Sequence, residues 1–158
     1  MLRPITAASQ HVLDKLAAAP RVGAVPFEWT LGWMEAEARA DGYYTASSAV
    51  PTSLDEVILQ GPHFTVATPY AKQPNVTMRN NLDYSVWDLE GLGERPIPRT
   101  SYQRAKPMEA YLAGYQHWDG VNANAYWRLA WRNMVDSSTV RSLHAALLPP
   151  GPTPMPVT

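Results

Sequence analysis

Cysteine is absent from this 158-residue chain, which excludes disulfides, thiolate metal sites and a cysteine nucleophile. The absence fits a reducing compartment, so we expect a cytoplasmic protein. Long apolar runs are absent as well, and none approaches the roughly 18 residues that a membrane-spanning helix needs. The first residues are not followed by the apolar core of a secretory signal. We therefore predict neither export nor a membrane partner.

Motifs for catalysis are also missing. The Gly91-Leu92-Gly93 sequence neither opens a helix nor repeats the glycine spacing of a phosphate-binding loop. The four histidines lack metal-ligand spacing, and His63 is expected to bond to backbone in a turn. Asp88 and Glu90 could share a strand face and hold a hydrated magnesium ion. That pair is the only basis for a small metal-dependent nuclease, and a solvated acidic surface explains it more simply.

Proline, in contrast, is abundant, with 15 residues in 158 against an ordinary share of about 5%. Each proline removes a backbone donor and fixes φ, so regular elements must be short. We predict an α+β fold in which N-terminal helices precede a mixed, mostly antiparallel sheet with long Pro-rich loops. Residues 1–150 are expected to form a single domain, and the Pro-rich tail 151–158 is expected to fray.

Apolar periodicity places the elements along the chain. Residues 7–19 are predicted to form a helix that is capped by Thr6 or Ser9 and ends before Pro20. Residues 27–40 are predicted to form a second helix with a tryptophan stripe. The remaining assignments are a loop at 69–83, a short helix at 108–116, and strands at 43–50, 57–59, 64–68, 84–89, 100–106, 126–132 and 140–148.

The clearest alternation lies in residues 126–132, Tyr-Trp-Arg-Leu-Ala-Trp-Arg. Side chains on a strand point alternately to its two faces. We therefore predict that Trp127, Leu129 and Trp131 face the core, while Arg128 and Arg132 face outward.

Charge is unevenly distributed although the net charge is only −1. Residues 1–94 hold 6 Lys and Arg and 11 Asp and Glu, giving −5, whereas residues 95–158 hold 7 and 3, giving +4. Arginine binds phosphates and base edges, and tyrosine can stack on a base. The candidate DNA-binding residues are Arg99, Tyr102, Arg104, Lys106, Asn124, Tyr126, Arg128, Arg132 and Arg141. The alternative is that these arginines pair internally with Asp83, Asp88 or Asp136.

Several segments in order along the chain resemble one family. They run from Ile58-Leu59-Gln60-Gly61-Pro62-His63-Phe64 and Thr68-Pro69-Tyr70, through residues 83–89 and Pro98-Arg99-Thr100-Ser101-Tyr102, to residues 126–132, 141–143 and 148–151. This part of the chain, about residues 27–151, is similar to large adenine-specific DNA methyltransferases, which occur as fused restriction–modification enzymes and in phage-defence systems of the BREX and DISARM kind.

The resemblance implies a role without catalysis. Those enzymes methylate adenine N6 with S-adenosylmethionine and an Asn/Asp-Pro-Pro-Tyr/Phe loop, and neither the cofactor site nor that loop is present here. The matching part follows the catalytic domain and is associated with target recognition. The resemblance therefore implies no cofactor and no methyl transfer in this chain, with double-stranded DNA and the methyltransferase catalytic domain as partners.

Two functions follow from the sequence. The first is DNA target recognition, with weak and salt-sensitive binding at about 10⁻⁴–10⁻⁶ M near physiological salt. The second is a protein-interaction module that docks onto the catalytic domain, with its arginines engaged inside the chain.

Overall fold

In a computed structural model the described residues are 6–65, 68–80, 83–132 and 144–155. Their helices are α1 (Ala7–Ala18), α2 (Glu35–Ala40) and α3 (Met108–Ala113). Their strands are β1 (Tyr44–Ala49), β2 (Ile58–Leu59), β3 (Lys72–Pro74), β4 (Tyr84–Val86), β5 (Thr100–Arg104), β6 (His117–Trp118), β7 (Val121–Asn122), β8 (Arg128–Trp131), β9 (Ala145–Leu148) and β10 (Thr153–Pro154).

The strands form two-stranded ladders joined by long loops. Four ladders are antiparallel, namely β1–β5, β3–β4, β6–β7 and β8–β9, and β10 pairs with β2 in parallel. Frequent prolines limit the length of the strands, because a proline has no N–H to donate to a ladder. The predicted α+β class with mostly antiparallel pairing is confirmed. None of the helices in the described ranges is long and apolar enough to cross a membrane.

Among the described residues, two clusters of buried side chains make the core, and β2 lies between them. The first cluster is largely aromatic and includes Ile58 of β2, and the second is largely aliphatic and includes Val57 and Leu59. Neighbouring residues of a strand face opposite ways, so one short strand serves both clusters. The aromatic cluster is built around Trp33, whose ring centroid lies 4.5 to 5.5 Å from those of Tyr43, Tyr111 and Tyr115.

The first helix is capped as predicted but buries nothing. The Thr6 hydroxyl accepts a hydrogen bond from the Ser9 N–H, 3.1 Å away, and the helix ends two residues before Pro20. Val12, Leu13 and Leu16 lie exposed. Every residue from 6 to 29 whose side chain is described is exposed.

The predicted second helix is wrong over its first half. The helix begins at Glu35 rather than at residue 27, because Gly32 has a φ of +77° and lies in the left-handed region. The N–H of Trp33 donates to the Pro154 carbonyl, 3.0 Å away, instead of to a helical neighbour. Trp33 is buried by this tertiary contact, whereas Trp29 is 65% exposed.

The Pro-rich segment Gly151–Met155 is part of the core, so the prediction that it frays is wrong for these residues. The Thr153 N–H donates to the Val57 carbonyl at 2.9 Å, and the Met155 N–H donates to the Leu59 carbonyl at 2.7 Å. Thr153 and Met155 are at most 1% exposed. The fold therefore closes when this segment pairs with β2.

Other strand predictions hold in position, with shorter bounds. β1, β2, β4, β5, β8 and β9 all lie inside segments predicted as strands, and α3 lies inside the predicted short helix. The sequence prediction missed β3, β6 and β7. Residues 69–83, which contain β3, were assigned to a loop because of their prolines. Between residues 64 and 68 the described part shows a single bridge from Thr65 to Thr68. Residues 140–143 of the last predicted strand lie outside the described ranges.

Candidate functional site

The antiparallel β8–β9 sheet lies at the surface of the described part of the chain. Its register pairs Arg128 with Leu148, Leu129 with Leu147, and Trp131 with Ala145. Leu148 and Ala146 are at most 1% exposed and belong to the aliphatic cluster. The sheet therefore has one inner face against the core and one outer face.

The predicted orientation of β8 is wrong, although the alternation is correct. Trp127 and Leu129 are each 64% exposed and Trp131 is 52% exposed, whereas Arg128 is only 6% exposed. The physical reason is the segment that follows β9. It contains prolines that bring carbonyl acceptors but no N–H donors, and a buried acceptor without a donor costs about 1–3 kcal/mol.

The Arg128 guanidinium supplies those donors. Its Nη2 donates to the carbonyl of Pro152 at 2.5 Å and to that of Pro149 at 3.3 Å, while Nε donates to the Tyr126 carbonyl at 3.2 Å. Burial lowers the pKa of Arg128, and the neighbouring Tyr115 opposes this effect. Arg128 thus attaches the C-terminal segment to β8, and its guanidinium is not presented to solvent for DNA.

Four large apolar side chains make the outer face of β8–β9, which we call the β8–β9 outer face. They are Trp127, Leu129 and Trp131 of the β8 segment and Leu147 of β9, the last being 56% exposed. With about 150–250 Å² for each tryptophan and each side chain scaled by its exposed fraction, the two tryptophans and two leucines together present roughly 500 Å² of apolar area. Patches of that size are the largest on ordinary monomers and are often functional.

Two more of the predicted DNA-binding residues are internal. Tyr102 is 7% exposed, and its hydroxyl donates a hydrogen bond to the Glu35 carboxylate while its ring packs 5.0 Å from that of Tyr44. Burial raises the pKa of Tyr102, and the bond to Glu35 adds to this effect. Asn124 is 5% exposed, and its amide donates to the Gly151 carbonyl at 3.2 Å. Both side chains stabilise the fold.

Three predicted cations near β5 already have partners in the chain. Arg99 donates to the Pro74 carbonyl at 3.1 Å. Arg104 forms a salt bridge of 3.5 Å with Glu56 and donates to the Lys106 carbonyl. The Lys106 ammonium lies 3.5 Å from the centre of the Tyr43 ring. All three side chains are half-buried, so only part of their charge faces solvent.

The last three predicted DNA-binding residues differ in their exposure. Tyr126 is 37% exposed, and its hydroxyl lies 3.4 Å from the Trp118 carbonyl. Arg132 is half-buried at the end of β8, where its backbone N–H donates to the His144 carbonyl. Arg141 lies outside the described residues. Within the described ranges, the charged groups of Arg99, Arg104, Lys106 and Arg128 all contact other groups of the chain.

The other sequence candidates do not assemble a site either. Asp88 accepts a hydrogen bond from the Glu90 N–H at 3.1 Å, so its carboxylate closes a turn. Among the described residues no group of three acidic or histidine side chains could hold a metal ion. A groove of about 290 Å³ beside α2 is lined by Trp33, Tyr43 and Tyr115, but these rings already pack against one another.

His63 is structural, as predicted. It is fully buried, its Nδ1 accepts the Gln60 N–H at 3.0 Å, and Nε2 lies 3.1 Å from the Arg99 carbonyl. Because Nδ1 is an acceptor, Nε2 carries the proton and donates to that carbonyl. Burial lowers the pKa of His63 to about 4, since an imidazolium is disfavoured away from water.

This burial predicts a specific pH dependence of stability. Below about pH 6.5 the unfolded chain protonates His63, whereas the folded chain resists protonation until about pH 4. The free energy of unfolding should therefore fall as pH falls through this window, by roughly 3 kcal/mol from this residue. Urea midpoints at both ends of the window measure it. Between the two ends of the window the His63→Gln variant, which cannot titrate at this position, should lose less stability than the wild type. Equal losses with pH in both proteins would contradict the low pKa of His63.

Comparison of the chain with protein-family models, with curated proteins and with solved structures found no match. The resemblance to adenine methyltransferases therefore stays a prediction from the sequence.

Sequence reasoning missed the β8–β9 outer face, although one signal was available. Residues 145–148 read Ala-Ala-Leu-Leu, with apolar residues on both faces, and β8 also offers apolar side chains outward. Strands that are apolar on both faces are typical of sheets covered on both sides. In the described part of the chain only the inner face of the β8–β9 sheet is covered.

Proposed function

We propose that this chain is a protein-interaction module and that the β8–β9 outer face is its docking surface. The observation that carries the proposal is the exposure of Trp127, Leu129, Trp131 and Leu147 on a sheet whose other face is buried. Burying an exposed apolar surface gives roughly 25 cal/mol per Å², so the patch can contribute several kcal/mol to association. Tryptophans at the centre of an interface are frequent binding hot spots.

The partner that the sequence favours is the catalytic domain of an adenine-specific DNA methyltransferase. The resemblance covers the part that follows this domain, and a folded domain with an apolar surface would complete the uncovered side of β8–β9. The internal use of Arg99, Arg104 and Arg128 also supports docking over DNA recognition. Each arginine bonded within the chain has less capacity to anchor a phosphate.

Leu129→Glu is expected to weaken this association at least about 30-fold, since losing a hot spot costs 2 kcal/mol or more. The probe is the purified catalytic domain of an adenine methyltransferase from the same genome, titrated by calorimetry. Val86→Glu is the matched control, because Val86 is 77% exposed on a different ladder. Circular dichroism checks that both variants fold.

A labelled DNA duplex, titrated across a salt series, is the second arm of the experiment. Docking predicts that the catalytic domain binds and that Leu129→Glu, but not Val86→Glu, weakens it. If the catalytic domain does not bind while the duplex binds at low salt with a steep salt dependence, DNA recognition replaces docking as the function.

A further inference from the structure

The N-terminal arm, residues 6–31, is a second uncovered apolar surface of this chain. Its helix α1 has no buried residue, and it presents Val12, Leu13 and Leu16 to solvent. These positions follow the i, i+1, i+4 pattern of one helical face. Beyond the helix, Phe27, Trp29 and Leu31 are 52%, 65% and 53% exposed.

An isolated 12-residue helix is marginal in water, because most helical stability in proteins comes from packing of an apolar face. In the described structure α1 lacks that packing within its own chain. The arm is therefore expected to find an apolar surface elsewhere.

We propose that the N-terminal arm of one copy covers the β8–β9 outer face of a second copy, and that the exchange is reciprocal. This proposal rests on the β8–β9 outer face being a docking surface, as argued above. It adds that, in the free protein, the surface is occupied by the arm of another molecule of the same chain. Self-association and docking of the catalytic domain would then exclude each other.

Dimensions support the match. A 12-residue helix is about 18 Å long, and five extended residues from Trp127 to Trp131 span about 17 Å. A helix laid across one face of a sheet is a standard layer arrangement in proteins. The whole helix therefore matches the length of the exposed ladder, and its large apolar residues from Val12 to Leu16 occupy about 6 Å of that length.

Area and charge allow a stable pair. Two reciprocal junctions, each covering roughly 500 Å² on the sheet and a similar area on the arm, bury about 2,000 Å² in total, at the upper end of a standard interface of 1,200–2,000 Å². The arm carries Lys15 and Arg21 against Asp14 and Glu28, so its formal charge is zero. The charge of the arm thus presents no net repulsion to a second copy.

The test is sedimentation of the full chain over a concentration series. The wild type should show a reversible monomer–dimer equilibrium. Leu13→Glu combined with Leu16→Glu on the arm, or Leu129→Glu on the sheet, should each raise the dimer dissociation constant at least tenfold, while Val86→Glu should not. Both arm positions are exposed, and glutamate is a good helix former, so folding is preserved.

Mixing the two defective variants distinguishes exchange from other dimers. The arm of the Leu129→Glu variant is intact, and so is the sheet of the Leu13→Glu/Leu16→Glu variant, so the mixture should regain one junction and form heterodimers. A wild-type chain that stays monomeric at every concentration would overturn the proposal. A dimer that the arm variant leaves unchanged would also overturn it, because the sheet faces would then pair with each other.

Titration with the catalytic domain separates this inference from the proposed function. If the exchange is correct, the catalytic domain should dissociate the dimer, and the arm variant should bind it more tightly than the wild type. A monomeric chain that binds the catalytic domain would refute the exchange and keep the docking function. If the dimer shows the expected variant behaviour but the catalytic domain neither binds nor dissociates it, the exchange is supported and the catalytic domain is not the partner.

Discussion

Gly32→Ala is expected to lower the free energy of unfolding by about 4 kcal/mol, from backbone strain and overpacking together. A Cβ at this position would lie 2.0 Å from the Pro154 carbonyl oxygen, and the φ of +77° is one that side chains rarely adopt. Relief would require moving Pro154 away, which breaks its hydrogen bond to the Trp33 N–H. The melting temperature should fall by about 10 °C.

Gly120→Ala is the matched control for this prediction. Gly120 has a φ of +78°, nearly the same as Gly32, but a Cβ there would meet nothing within 4 Å. It should therefore cost only the conformational strain of about 1 kcal/mol. Calorimetric melting of both variants separates the two effects. Equal losses would show that Pro154 does not lie against Gly32.

Arg128→Met is expected to cost about 3–5 kcal/mol, because it removes the donor to three carbonyls and each buried acceptor left unsatisfied costs about 1–3 kcal/mol. Methionine keeps much of the aliphatic volume but leaves the carbonyls of Tyr126, Pro149 and Pro152 without this donor. The C-terminal segment should then separate from β8. Urea unfolding of the variant, followed by tryptophan fluorescence, measures the change.

Arg95→Met is the control, because Arg95 is exposed and surface substitutions usually change stability by less than about 0.5 kcal/mol. The outcome also decides between two views of β8. If Arg128→Met leaves the urea midpoint unchanged and weakens DNA binding at low salt, the arginine faces solvent, as the sequence pattern first predicted.

The contrast at β8 illustrates what a sequence pattern can and cannot specify. Alternation predicted the strand and which residues share a face, since a strand has a fixed period of two. It could not specify which face is inward, because that depends on what covers the strand. The carbonyl-rich segment that packs on β8 favours an arginine on the inner face. Hydrophobicity alone would place the tryptophans on that face, which is what the sequence pattern predicted.

The error at residues 27–34 has a similar cause. Trp29 and Trp33 are spaced for one helical face, and local periodicity therefore predicts a helix. The actual conformation depends on a hydrogen bond from Trp33 to Pro154, about 120 residues away. Contacts of that range are not encoded in the local pattern.

The C-terminal strand could have been recognised from its prolines. In Pro152-Thr153-Pro154-Met155 every second residue lacks an N–H. In an extended strand the remaining N–H groups point to the same side, which suits a strand paired along one edge only. The Thr153 and Met155 N–H groups indeed donate to β2. The predicted DNA contacts offered no comparable signal, since spacing does not distinguish a surface arginine from a buried one.

The parallel pairing of β10 with β2 also sets an order of events during protein synthesis. Thr153 pairs with Ile58, so β2 is made about 95 residues before the strand that completes it. At about 5–20 residues per second the ribosome needs roughly 5–20 s to cover that distance. Throughout that interval Val57, Ile58 and Leu59 lack a covering that they have in the finished fold. A newly emerging chain therefore exposes more of this apolar segment than the finished fold does, until residues 153–155 have been made.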